Sequence, residues 1–178
     1  MNDEGPIANE VMEDIKKHFG FLFDRGYEIH SARTISKSFG AWEVVLKNRH
    51  HQVMFSAEKG AADILFGSPV KGFVYVRGLI YFLSGEKEFI DISFFDIFNG
   101  MKKDAELLHK HIDEFEACFG NDFKKHEEGL KLANKRYSDR ISSTLGEVGS
   151  AKGLENNSSV NAIFFFLARL YPFNCPFF

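Results

Sequence analysis

The apolar periodicity of this chain changes sharply at Gly26. Ahead of that point Ile7, Val11, Ile15, Phe19 and Leu22 recur at helical spacing. Beyond it Tyr27, Ile29 and Ser31 alternate with Glu28 and His30, and Trp42, Val44 and Leu46 alternate with Glu43, Val45 and Lys47. A period of two puts every second side chain on one face of a strand, so the chain passes from helix into sheet. Pro6 suits the first helical turn, where an N–H is not needed, and Gly26 suits the left-handed position that closes a helix.

Turn chemistry then sets the topology. Ser38-Phe39-Gly40, the four residues from Asn48 to His51, and Glu58-Lys59-Gly60 are short polar or glycine-bearing connections. Short connections force antiparallel neighbours. The expected product is a four-stranded meander over 27–37, 41–47, 52–57 and 61–66, with Trp42 filling the core.

Helices should follow. Val76, Leu79, Ile80 and Leu83 mark one face of a short helix that Ser84-Gly85 ends. The stretch 89–98 carries two signals: Ile90, Ile92 and Phe94 alternate as in a strand, while Ser93 to Asp96 resembles a capping box and favours a helix. Ala105, Leu108, Ile112, Phe115 and Phe119 form one apolar stripe, and Phe123, His126, Leu130, Ala133, Tyr137 and Ile141 form another. Gly120-Asn121-Asp122 between them can close one helix and cap the next, which predicts a helical hairpin. Gly, Ser and Asn dominate from Ser142 to Ser159, which reads as a loop or linker, set at 146–159. The fold class is therefore α+β, with one domain over 1–145, its C-terminal helices packed on one face of the sheet, and an apolar segment at 160–178.

With 178 residues, 21 of them Phe, the chain can bury a core without disulfide or metal staples. The net charge of -3, with acids and bases interspersed, gives no field that would draw nucleic acid or an anionic membrane. Two cysteines, Cys118 and Cys175, form no framework, and Met1-Asn2-Asp3-Glu4 does not open like a secretory signal. A reducing, cytoplasmic setting is the expectation. The apolar run Ile163 to Leu167 falls short of the roughly 20 residues that a membrane span needs, and Asn161, Arg169, Pro172 and Pro176 interrupt it further. If exposed it would be a sticky patch, so it should dock on its own domain or on a second subunit to make a homodimer.

Catalytic and ligand motifs are weak throughout. His109 and His111 point about 200° apart on a helix, unlike an i,i+4 pair that shares an ion. His50 and His51 diverge if extended. Cys118 lies beside Phe115 and Phe119, where a buried structural thiol is expected. No GxSxG, HExxH or glycine-rich phosphate loop occurs, and the basic residues from Lys124 to Arg140 are interrupted by Asp122, Glu127, Glu128 and Asp139. No metal, cofactor or catalytic residue is assigned. The acid pairs Glu86 and Glu88, and Asp91 and Asp96, fit solvated faces.

The string Phe23-Asp24-Arg25-Gly26-Tyr27, followed by Ser38-Phe39-Gly40-Ala41-Trp42-Glu43-Val44-Val45-Leu46, resembles a pattern in a group of small uncharacterised bacterial α+β proteins. There a helix leads into a "gY" strand and then an "FGxWxVxL" strand, and the similarity spans about Phe19 to Gly85. The resemblance implies a fold rather than an activity. Some proteins of this general look neutralise toxins, so a non-enzymatic protein-binding module is the leading expectation. One alternative is a small enzyme or ligand-binding protein with its site on the open face of the meander, where His30, His50, His51 and Arg77 supply polar groups, and another is a homo-oligomeric structural protein.

Overall fold

The fold is described from a computed structural model, over residues 9–36, 40–58, 61–85 and 97–151. The N-terminal helix is two: α1 over Asn9–His18 and α2 over Gly20–Asp24. They part at Phe19, which leaves helical geometry (φ -115°, ψ 23°) yet is fully buried with Ile15 and Leu22. Gly26 takes φ +79°, and the Tyr27 N–H donates to the Leu22 carbonyl while the Gly26 N–H donates to Phe23. That paired closure is why the chain can turn directly into a strand.

The sheet has five strands in sequence order: β1 Glu28–Ser36, β2 Ala41–Lys47, β3 Gln52–Glu58, β4 Ala61–Ser68 and β5 Gly72–Tyr75. All neighbours are antiparallel. The expected meander is present, with one strand more than the sequence pattern predicts. Four residues running straight into a helix leave no periodicity to detect, so β5 is set by its pairing with β4. The Ser68 hydroxyl accepts from the Lys71 N–H at 3.0 Å, and Gly72 takes φ +77°. A Cβ on Gly67 would collide with the Gly72 carbonyl oxygen. At the β2–β3 turn the Asn48 Oδ1 accepts from the His50 and His51 N–H groups at 2.9 and 2.7 Å.

One sheet face carries Val44, Leu46, Val53, Phe55, Ile64, Phe66 and Val74, all in the core. Trp42 packs against it, partly buried. The helix α4, Ile97–Cys118, covers this face with Leu108, Ile112 and Phe115, and Phe119 follows in the turn. Phe66 meets the rings of Phe115 and Phe119 at 5.6 Å each. The helix α3 occupies Val76–Leu83 and ends at Ser84 with Gly85 at φ +66°, as expected. The helix α5, Phe123–Ala151, packs against α3 and β5: the rings of Tyr75 and Tyr137 meet at 5.0 Å, tilted, and Gly78 lies against Ala133 and Asn134.

The hairpin of α4 and α5 breaks at Gly120-Asn121-Asp122 as the sequence predicts. Helix α5 continues to Ala151, however, into the stretch read as a loop from Ser142 and a linker from Gly146. Backbone hydrogen bonding propagates along an established helix and tolerates single glycines there at about 1 kcal/mol each. Residues 152–178, with the apolar segment and its role in a homodimer, lie outside the described residues, as do 89–96 and Pro6. Among the described residues no helix is long and apolar enough to cross a membrane.

Gly67→Ala tests the fifth strand. The added methyl must push the β4–β5 backbone apart, and the variant should unfold with about 3 kcal/mol less stability in a denaturant titration.

Candidate functional site

Two polar clusters stand out from an otherwise apolar interior, and cross-strand register explains the first. Leu65 pairs with Tyr75 at the end of β5, and Asp63, two residues further along β4, lies close enough to Arg77 at the start of α3 for their charges to interact. Asp63 also pairs with Ser56, Ser56 with Glu43, and Glu43 with Arg33. A polar row thus crosses the sheet on the face opposite the core. Arg33 holds Glu43 at its near end, Nη2 to Oε1 at 3.1 Å. At the far end the Arg77 Nε donates to Asp104 Oδ1 at 2.7 Å, with both side chains buried.

Arg77 and Asp104 already balance one another, so Asp63 is a third and surplus charge. Burial pushes its carboxyl up to about 6, against the pull of Arg77 and with repulsion from Asp104. Burial also raises Asp104, which Arg77 partly offsets. Desolvation opposes the charge on Arg77, but the charge and hydrogen bond of Asp104 outweigh it and raise its pKa. Tyr137 completes the cluster from α5, its phenol held protonated by burial and then by Asp63. Among the described residues no donor reaches Asp63. The arrangement can take up and release a proton near neutrality.

The second cluster surrounds His51, which is 9% exposed at the start of β3. Its ring stacks on Phe66 at 5.7 Å, and its Nε2 is buried without a hydrogen-bond partner among the described residues. Burial lowers its pKa, against the charge and backbone carbonyl of Glu116, while His50 and Lys71 add to the lowering. Glu116 itself accepts from Tyr27 at 3.1 Å and from Arg25 at 2.9 Å, and Arg25 also reaches Asp113 at 2.6 Å. Lys71 is tied to the Phe119 and Gly120 carbonyls at 2.7 and 2.6 Å, where it closes the end of α4.

These positions separate the four residues expected on an open face. His30 is exposed on β1 at a bulge, and His50 is exposed at the β2–β3 turn. His51 is buried beside Phe66. Arg77 is buried on α3, and Ser56, which marks its row, stands five residues along β3 from His51, roughly 17 Å at 3.3 Å per residue. His50 and His51 are neighbours at 6.2 Å, but Arg77 joins Asp63, Asp104 and Tyr137 instead. Sequence periodicity held one clue to that cluster: Asp104 falls between Met101 and Leu108 on the buried stripe of α4, where a lone acid needs a partner. Among the described residues no three His, Cys, Asp or Glu side chains are placed to hold a metal ion. Cys118 is buried, and burial raises its thiol.

Comparison with known protein families, with curated proteins and with solved structures finds no match.

Both clusters set pH dependences of opposite sign. Asp63 binds its proton more tightly when folded than at its ordinary value of 3.8, so its stabilising contribution is complete below that value and is lost as pH rises through about 6. Part of Asp63 remains in contact with water, which reduces the effect. Asp63→Asn should raise stability at pH 8 by about 1–2 kcal/mol and leave it nearly unchanged at pH 4, measured by chemical denaturation. His51 prefers to be neutral when folded, so its contribution is complete above its ordinary 6.5 and is lost as pH falls through its lowered value. His51→Leu removes the unpartnered nitrogen. It should gain about 1 kcal/mol at pH 8 and more at pH 5 by the same measurement.

Proposed function

We propose that this chain is a non-enzymatic protein-binding module that receives an extended segment of its partner along β1. The observation that supports this reading is the unequal treatment of the two sheet edges. At the β5 edge, α5 packs along the strand, and the Asn134 side chain accepts from the Tyr75 N–H at 3.1 Å, so that edge is closed. The β1 edge is the last strand of the sheet on the other side, and from Glu28 to Arg33 no further strand among the described residues pairs with its outer side. Ile29 there is 43% exposed, one of three large apolar side chains so placed among the described residues. Free backbone donors and acceptors beside an exposed apolar side chain are what strand addition uses.

The charged interior fits the same reading, because Arg77 and Asp104 hold each other and Arg25 is held by Asp113 and Glu116. These groups stabilise the fold rather than await a substrate. The reading extends to the toxin-neutralising type, with the cytoplasm as its setting, on the general look of the proteins that Phe19 to Gly85 resembles.

A photo-crosslinking residue at position 29, with one at the comparably exposed Leu132 as control, tests the edge in cells. Position 29 should give a discrete adduct that position 132 lacks. No adduct at 29, or the same adducts at both sites, overturns the reading.

A further inference from the structure

Resting on β1 as the binding edge, we propose that the segment it accepts is the β1 strand of a second copy. The two strands run antiparallel about a two-fold axis between His30 and Ser31. In that register Glu28 lies opposite Arg33 of the second copy, Ile29 opposite its Ala32, and His30 opposite its Ser31. The pattern repeats on the other side of the axis, as an isologous contact requires.

The bulge in β1 makes this register work. In a regular strand Glu28 and Arg33, five residues apart, would point to opposite faces. The register of β1 on β2 slips between Ile29 and Ser31, so that Glu28 pairs with Lys47 and Arg33 with Glu43. Lys47 and Glu43 are four residues apart in β2 and share a face, and Glu28 and Arg33 therefore share it too. Ile29 and Ala32 pair with Leu46 and Val44, which places both on the core face. Charge then meets opposite charge on one face, and apolar meets apolar on the other. A slip of one residue would oppose side chains of different faces.

The groups concerned are available. Glu28 and Ile29 are exposed, and the Arg33 side chain is 52% exposed even while it holds Glu43. The product is a continuous sheet of two five-stranded halves with two intermolecular Glu28–Arg33 ion pairs. Bulges and charges on an edge can equally guard a monomer against such pairing. Here their spacing is self-complementary, which a guarding role does not require.

Light scattering of the full chain across a concentration series tests the contact. The 20.3 kDa chain should approach twice that mass. Glu28→Arg alone and Arg33→Glu alone each oppose like charges across the axis and should weaken the dimer about tenfold or more. An equimolar mixture of the two variants restores both ion pairs and should dimerise again, with circular dichroism confirming that each variant is folded. A monomeric wild type, variants as dimeric as wild type, or a mixture that stays monomeric each overturns the proposal. A crosslink from position 29 to a different protein would retain the protein-binding reading while removing this one. An adduct of twice the chain mass supports β1 as a binding edge with a second copy as its occupant.

Discussion

An antiparallel sheet has two faces and two edges, and water can be left on only some of them. The face bearing Val44, Leu46, Val53, Phe55, Ile64 and Phe66 is apolar across three neighbouring strands, and the remaining elements are arranged by the need to cover it. Helix α4 lies on it with Leu108, Ile112 and Phe115, while the broken N-terminal helix fills the neighbouring space with Ile15, Phe19 and Leu22. The break at Phe19 belongs to that demand. Its ring meets Phe55 at 4.6 Å, edge to face, and a straight helix was given up for this packing.

Covering the sheet brings charges into the interior. Arg77 follows directly from β5, and α4 carries Asp104 on the same face that buries Met101, Ala105 and Leu108. Two buried charges within hydrogen-bond reach offset much of their desolvation, and they also fix how α3 sits on α4. Asp63 is the third partner, and burial pushes its carboxyl up to about 6 against the pull of Arg77 and with repulsion from Asp104. A similar compromise holds at the other end of the sheet, where Tyr27, Arg25 and Glu116 are paired around a histidine ring that packs on Phe66.

The edges are treated differently from the faces. Helix α5 closes β5 through Asn134 and the ring of Tyr137, so the sheet cannot grow on that side. At β1 two register shifts twist the strand and leave its first residues in solvent. With one edge closed and the other uncovered among the described residues, the sheet has a direction in which strands can be added. Both the partner reading and its self-association form rest on this asymmetry.

Much of the architecture was legible because it is local. The change of period at Gly26, the short connections after β1, β2 and β3, the exact span of α3 and the break at Gly120 follow from turn chemistry and from side-chain spacing within a few residues. What the sequence could not supply was adjacency across distance. The fifth strand needed β4 to define it, Arg77 needed Asp63 and Asp104 to turn from a candidate ligand group into a buried ion pair, and His51 needed Phe66 to become interior. By itself the sequence determined the order of the N-terminal helical stretch, the first four strands, α3 and the hairpin of α4 and α5, since each depends on near neighbours. Only the tertiary structure decided which charges meet and which edge is uncovered among the described residues, because both depend on register and packing between segments that are remote along the chain.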